Sequence, residues 1–132
     1  MVATTFFCPF CGNEGPENER VCSRCGRSIE RWLEIPFEER LLQTLKHPIR
    51  EYRMMAIQIL GQRKYEHAVP ALKKLAASER DVYLVREIAM ALMAIDSDES
   101  RRILASLCDH PSPVVRSVFD RERDQPGSEE TQ

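Results

Sequence analysis

Four cysteines stand in two tight pairs near the start of the chain: Cys8-Pro9-Phe10-Cys11-Gly12 and Cys22-Ser23-Arg24-Cys25-Gly26. Each pair has the form C-x-x-C-G, and ten residues separate the pairs. Four thiolates brought together with this spacing make a tetrahedral metal site. Little else can hold this stretch in one shape. Gly12 to Arg20 is polar and carries the turn signal Gly15-Pro16. Phe6, Phe7, Phe10 and Val21 are nearly its whole apolar content. Residues 1–27 are therefore expected to be a metal-dependent module, because so few apolar groups cannot build a core. The expected ion is one zinc per chain, held by Cys8, Cys11, Cys22 and Cys25, with iron as the alternative for a four-thiolate set. Such a site has no open coordination position, so it points to structure rather than catalysis. Arg20, Arg24 and Arg27 lie near the cysteines in sequence and favour thiolates over thiols.

The chain has 132 residues, room for a small module and one modest domain. No apolar run approaches the ~20 residues that span a bilayer. The first ten residues lack both a basic segment and a long apolar one, so a secretory leader is not expected. The expected setting is a reducing cytoplasm, where paired cysteines favour metal over disulfide. The net charge of −2 hides a division. Residues 1–35 carry four Arg against five Glu, residues 36–123 carry 15 Lys/Arg against 13 Asp/Glu, and residues 124–132 carry three acids and no base. A surplus of two positive charges on the middle segment is too small to imply nucleic acid by itself.

Residues 28–35 read as a linker with a short helix, capped by Ser28 and presenting Ile29, Trp32 and Leu33 on one face. Trp32 is the chain's only tryptophan and is expected to pack the cysteine module against the next part of the chain. Pro36 is expected at the first turn of the next helix. From 36 to 123 the chain repeats. His47-Pro48, Arg80-Asp81 and His110-Pro111 each open a segment in which Arg53, Arg86 and Arg116 align. Ala56, Ala89 and Phe119 align behind them. Partner helices lie between, at 37–46, 67–77 and 99–108, and the repeated helices fall at 49–60, 82–94 and 112–122. Two helices per unit at a spacing near 30 residues define an all-α solenoid. Gly61, Ser97 and the Pro-containing stretches are expected to mark turns. The acidic end, 124–132, is expected to be a disordered tail.

The segment Arg80-Asp-Val-Tyr-Leu-Val-Arg-Glu-Ile-Ala-Met-Ala-Leu92 resembles HEAT repeats, in particular the short type first noted in phycobilisome lyases. Val69-Pro-Ala-Leu-Lys-Lys-Leu75 is similar to the second helix of that type. The likeness covers roughly 36–120. HEAT repeats usually carry an Asp early in the first helix and an Arg five residues on; Asp81 and Arg86 fit, whereas Pro48 and Pro111 occupy the Asp position of the other units. The Cys-Pro-x-Cys-Gly form resembles short zinc ribbons. The chain is thus expected to be a short HEAT-like solenoid behind a small N-terminal zinc ribbon.

In such solenoids the second helices line the concave face. Lys73, Lys74, Arg101 and Arg102, with Arg40 in the preceding helix, are candidate partner-binding residues on that face. The expected function is a non-enzymatic protein–protein interaction adaptor or scaffold. The alternative is nucleic-acid binding through the ribbon and the basic strip, although no aromatic residues interleave the strip. Catalysis is not expected: the fifth cysteine, Cys108, reads as a small buried hydrophobe, and His110, two residues on, is poorly placed on a helix face to serve it. Of His47, His67 and His110, two stand in His-Pro at equivalent repeat boundaries, which repetition explains without a metal. The three aligned arginines are expected to pair with Asp81 and with helix-end carbonyls. Val114, Val115, Val118 and Phe119 leave the last helix as a candidate surface for a homodimer.

Overall fold

The computed structural model describes residues 5–16 and 19–124. The chain divides into two compact units, Met1–Ala56 and Ile57–Gln132. The acidic tail expected from Asp124 lies outside the described residues, save for Asp124 itself, which closes the last helix.

The first unit begins with a two-stranded antiparallel hairpin. Strand β1, Thr5–Phe7, pairs with β2, Glu14–Pro16, in the register Thr5–Pro16, Phe6–Gly15 and Phe7–Glu14. Helix α1, Ile29–Glu34, comes next, and the Ser28 hydroxyl accepts a hydrogen bond from the Arg31 amide, as the sequence led us to expect. Helix α2 spans Phe37–Thr44, with Pro36 at the N-cap. It stops ahead of His47-Pro48 through two tight turns, in which the Lys46 and His47 amides donate to the carbonyls of Gln43 and Thr44. Helix α3, Arg50–Gln62, crosses the boundary between the units. Trp32 is buried, 8% exposed, and meets Phe10 edge-on at 5.2 Å between ring centroids. It therefore packs on the cysteine module.

The second unit holds the end of α3, a single 3₁₀ turn at Glu66–Ala68, and helices α4 (Val69–Ser78), α5 (Val82–Ile95), α6 (Asp98–Leu107) and α7 (Pro113–Asp124). Helix α5 is apolar on more than one face, and seven of its residues are buried. It accordingly sits among α4, α6 and α7. Leu72, Leu84, Ile88, Leu92 and Val115 are all fully enclosed. Each such side chain contributes roughly 1.5–3 kcal/mol through burial. The turns between helices are set by local chemistry. Asp81 caps α5 by accepting from the Tyr83 amide at 2.9 Å. Ser97 and Ser100 cap each other at the start of α6, at 3.1 and 2.8 Å. Asp96 closes α5 with φ of 55°, the left-handed geometry common at helix ends.

Two expectations are corrected. Gly61 does not mark a turn; it lies inside α3, and a Cβ there would stand 2.8 Å from the Cα of Ala91 on α5. Close helix approach, not chain reversal, requires the glycine. The reversal falls at Lys64, whose φ is 53°. Cys108 is exposed, not buried: it ends α6, and its thiol donates to the Ala105 carbonyl at 3.0 Å. The apolar face of α7 is largely used within its own unit, since Val115 and Val118 are buried and Val114 and Phe119 half-buried.

Candidate metal centre

The two cysteine pairs fold into matching loops. In the first, the Gly12 amide donates to the Cys8 carbonyl at 2.9 Å and the Cys8 amide to the Asn13 carbonyl at 2.9 Å. In the second, the Gly26 amide donates to the Cys22 carbonyl at 2.9 Å and the Cys22 amide to the Arg27 carbonyl at 3.0 Å. Both glycines have positive φ, 80° and 76°, the conformation a Cβ disfavours. The turns aim amides at sulfur. Phe10 N–H donates to Cys8 Sγ at 3.4 Å, and the Arg24 and Cys25 amides donate to Cys22 Sγ at 3.4 and 3.5 Å. The Val21–Ser28 bridge closes the second loop.

These loops bring the four sulfurs within 4.8 Å of one another. Cys8 Sγ lies 3.7 Å from Cys25 Sγ, and Cys11 Sγ lies 3.6 Å from Cys22 Sγ. A disulfide needs about 2.05 Å, so the cysteines are free thiols. A tetrahedron with metal–sulfur bonds of about 2.3 Å has edges of about 3.8 Å, close to those two separations. The donor set, the distances and the amide dipoles all fit one structural zinc ion. Burial pushes the Cys8 thiol up to about 12, whereas backbone amides, that of Cys25 first, draw Cys22 down to about 7. A divalent cation overrides such differences, because a coordinating thiol is deprotonated outright. Cys8, Cys22 and Ile29 form one buried cluster, flanked by Phe10 and Cys11. The ligands thus supply part of the small core that surrounds them.

A histidine ties this centre to the helices of the same unit. His47 is 2% exposed. Its Nδ1 accepts the Ile49 amide at 3.0 Å, so Nε2 carries the proton and donates to the Cys8 carbonyl at 3.3 Å. Ile49 also lies against Gly12, where a Cβ would meet its Cδ1. The Ile49 methyl end can swing aside, so it is the positive φ that calls for glycine. Arg53 Nη1 donates to the carbonyls of His47 and Pro48 at 2.9 and 3.2 Å. The same device recurs at the last unit. His110 Nδ1 accepts the Ser112 amide at 3.0 Å, and Arg116 Nη1 donates to the carbonyls of His110 and Pro111 at 2.7 and 2.9 Å. The expected bonding of aligned arginines to helix-end carbonyls holds at these two sites. The link from His47 to Cys8 was missed in sequence; 39 residues separate the two, and only the repetition of His-Pro hinted at a special position.

The candidate partner-binding cations are sorted differently from the sequence expectation. Lys73 on α4 and Arg102 on α6 line one groove of about 530 Å³. Ala76, Ile103 and Leu107 also line it, with Glu99 and His110. Lys74 and Arg101 do not line it. Arg101 is held by Asp96 at 2.7 Å and by Asp98. Arg40 belongs to the first unit, with its guanidinium 5.7 Å from the Phe37 ring centroid and its buried Nε without a hydrogen-bond partner among the described residues.

Paired helices behind a four-thiol hairpin module define a helical-repeat protein with a small metal ribbon. Comparison with known families agrees with both parts. A family model for HEAT repeats matches residues 38–119, and one for a zinc-ribbon domain matches residues 7–29. The HEAT match covers more than half of the chain, which belongs to the HEAT-repeat family. No curated protein and no solved structure matches it. Among the described residues, no helix is long and apolar enough to cross a membrane.

Proposed function

We propose that the chain is a non-enzymatic adaptor of the reducing cytoplasm, organised as a zinc ribbon (1–27), a linker helix (28–35) and a HEAT-like repeat segment (36–123). Cys8, Cys11, Cys22 and Cys25 hold its zinc. The partner is a protein, and its principal seat is the groove between α4 and α6. The observation that carries this reading is the character of that groove. Ala77, exposed, and Ala76, half-buried, offer apolar surface there beside the buried Ile103 and Leu107, while Lys73 and Arg102 make no ion pair among the described residues. Apolar contact with a polar rim is what protein interfaces use. Of the five candidate cations, Lys73 and Arg102 carry the interaction; Lys74 is auxiliary, Arg101 is already neutralised by two aspartates, and Arg40 serves the first unit.

The test is capture of partners from the native host with the wild-type chain and with the double variant K73E/R102E, identified by mass spectrometry. Loss of the same set of proteins from the variant is expected. A set that survives the reversal would remove the groove from the account. Nucleic-acid binding, the second reading, predicts tight filter binding with a steep salt slope that the same variant abolishes. Against it stands the near balance of charge on residues 36–123.

A further inference from the structure

A second cavity lies in the first unit, beside the metal centre, and has a different chemistry. It holds about 390 Å³ and is lined by Pro9, Phe10, Arg27, Gln43, Lys46 and His47. The first cysteine loop supplies Pro9 and Phe10, the second supplies Arg27, and the end of α2 with the turn after it supplies the rest. Among the described residues, no carboxylate lines it. Arg27 is exposed and its guanidinium carbon lies over the Phe10 ring, 5.1 Å from the centroid. Lys46 makes no ion pair and the Gln43 side-chain amide no hydrogen bond among the described residues. His47 contributes a wall but no charge, because both its ring nitrogens are committed, to Ile49 and Cys8.

We infer that this cavity is an anion seat that takes a Glu or Asp carboxylate from an acidic segment of a partner protein, held between Arg27 and Lys46. A guanidinium presents paired N–H groups to a carboxylate, and an ammonium and an amide complete the acceptors' needs. Two simpler roles for the cations fall short. Lys46 near the C-terminal end of α2 offsets the helix dipole, but that needs no second cation across a cavity. Both cations also moderate the formal −2 charge of a zinc ion with four thiolates, but that needs no carboxylate-free cavity shared by the two. The choice of a carboxylate over a phosphate backbone rests partly on the adaptor reading and partly on charge. Residues 1–56 carry eight Lys/Arg against eight Glu, so the unit with its loaded ribbon lacks the basic surplus that binding along a phosphate backbone draws on. The local pair of cations matches a carboxylate.

The test is a two-dimensional NMR titration of the zinc-loaded full chain at moderate salt. The probes are blocked tetraglutamate, blocked tetraglutamine and a short single-stranded DNA. Tetraglutamate is expected to shift the Arg27 and Gln43 side-chain N–H signals and the Phe10 amide. K46E, at an exposed position, is expected to weaken that response about tenfold, the scale of one charge-assisted contact replaced by repulsion. Arg27→Gln is expected to do the same without zinc loss, checked by metal content. Equal shifts with tetraglutamine, no shift at millimolar tetraglutamate, or a stronger response to DNA would each overturn the inference. So would zinc loss from K46E, which would make Lys46 a counter-charge for the metal. Shifts confined to Lys73 and Arg102 would also overturn it while sustaining the α4–α6 groove. Intact shifts at Phe10 and Arg27 with none at the groove would sustain the anion seat and count against the groove.

Discussion

The ribbon and helix α5 solve the same problem with opposite means. Helix α5 places seven side chains where water cannot reach, and its neighbours close around them. The ribbon buries Cys8, Cys22 and Ile29 and little more, so its cohesion has to come from metal–sulfur bonds. Stability in the second unit is spread over many apolar contacts, each worth one to a few kcal/mol. In the ribbon it is concentrated on four atoms. A distributed core degrades gradually under mutation, whereas a concentrated one fails at a single substitution.

That contrast can be broken most directly at the metal. Chelation of zinc, or Cys11→Ser, is expected to abolish hydrogen-exchange protection in the two cysteine loops while the helices of residues 57–132 stay protected. Because His47 and Ile49 lock onto Cys8 and Gly12, the Ile49 amide should lose protection with the ribbon. Loss of all helical circular dichroism would show that the two units do not fold separately. A smaller but still large effect is expected in the second unit. Leu92→Ala, at a fully buried position, should lower unfolding free energy by roughly 2–5 kcal/mol with zinc content unchanged, measured by denaturant titration.

Next in size is Gly61→Ala. The added methyl meets Ala91 Cα at 2.8 Å, backbone that cannot rotate away, so a loss of about 1–3 kcal/mol is expected despite the gain in helix propensity. A stabilised variant would mean that α3 and α5 are less closely packed than described. The smallest effect is expected at Ser97→Ala, which removes half of the reciprocal cap on α6 and should cost about 1 kcal/mol. Light scattering adds a check on assembly. Val115 and Val118 are buried within the second unit, so a homodimer through α7 would draw on Val114 and Phe119 among the described side chains, and a clean monomer at high concentration would count against it.

Much of the fold was open to reading because its signals are local. The spacing of Cys8, Cys11, Cys22 and Cys25 names a metal chemistry before any folding is considered. The expected helices at 49–60, 82–94 and 99–108 fall within two residues of α3, α5 and α6, since apolar periodicity and the Asp81 and Ser97 caps act over a few residues. The misreadings involve longer distances. Gly61 looked like a turn because its reason, Ala91, lies 30 positions away. Cys108 looked buried because Leu104 and Leu107 precede it, yet it falls where α6 ends and the chain turns outward.

By itself, then, the sequence determined the donor set, the helical period and the places where helices start. Those depend on residue type and short-range geometry. Only the tertiary structure decided which cations are available and what each histidine does. Arg101 and Arg102 are neighbours in sequence, yet one is bound by Asp96 and Asp98 while the other lines a groove. His47 and His110 share a motif, yet only His47 is given the Cys8 carbonyl as a partner. Electrostatic pairing and burial act through space, and the positions that decide them are set by how the chain packs.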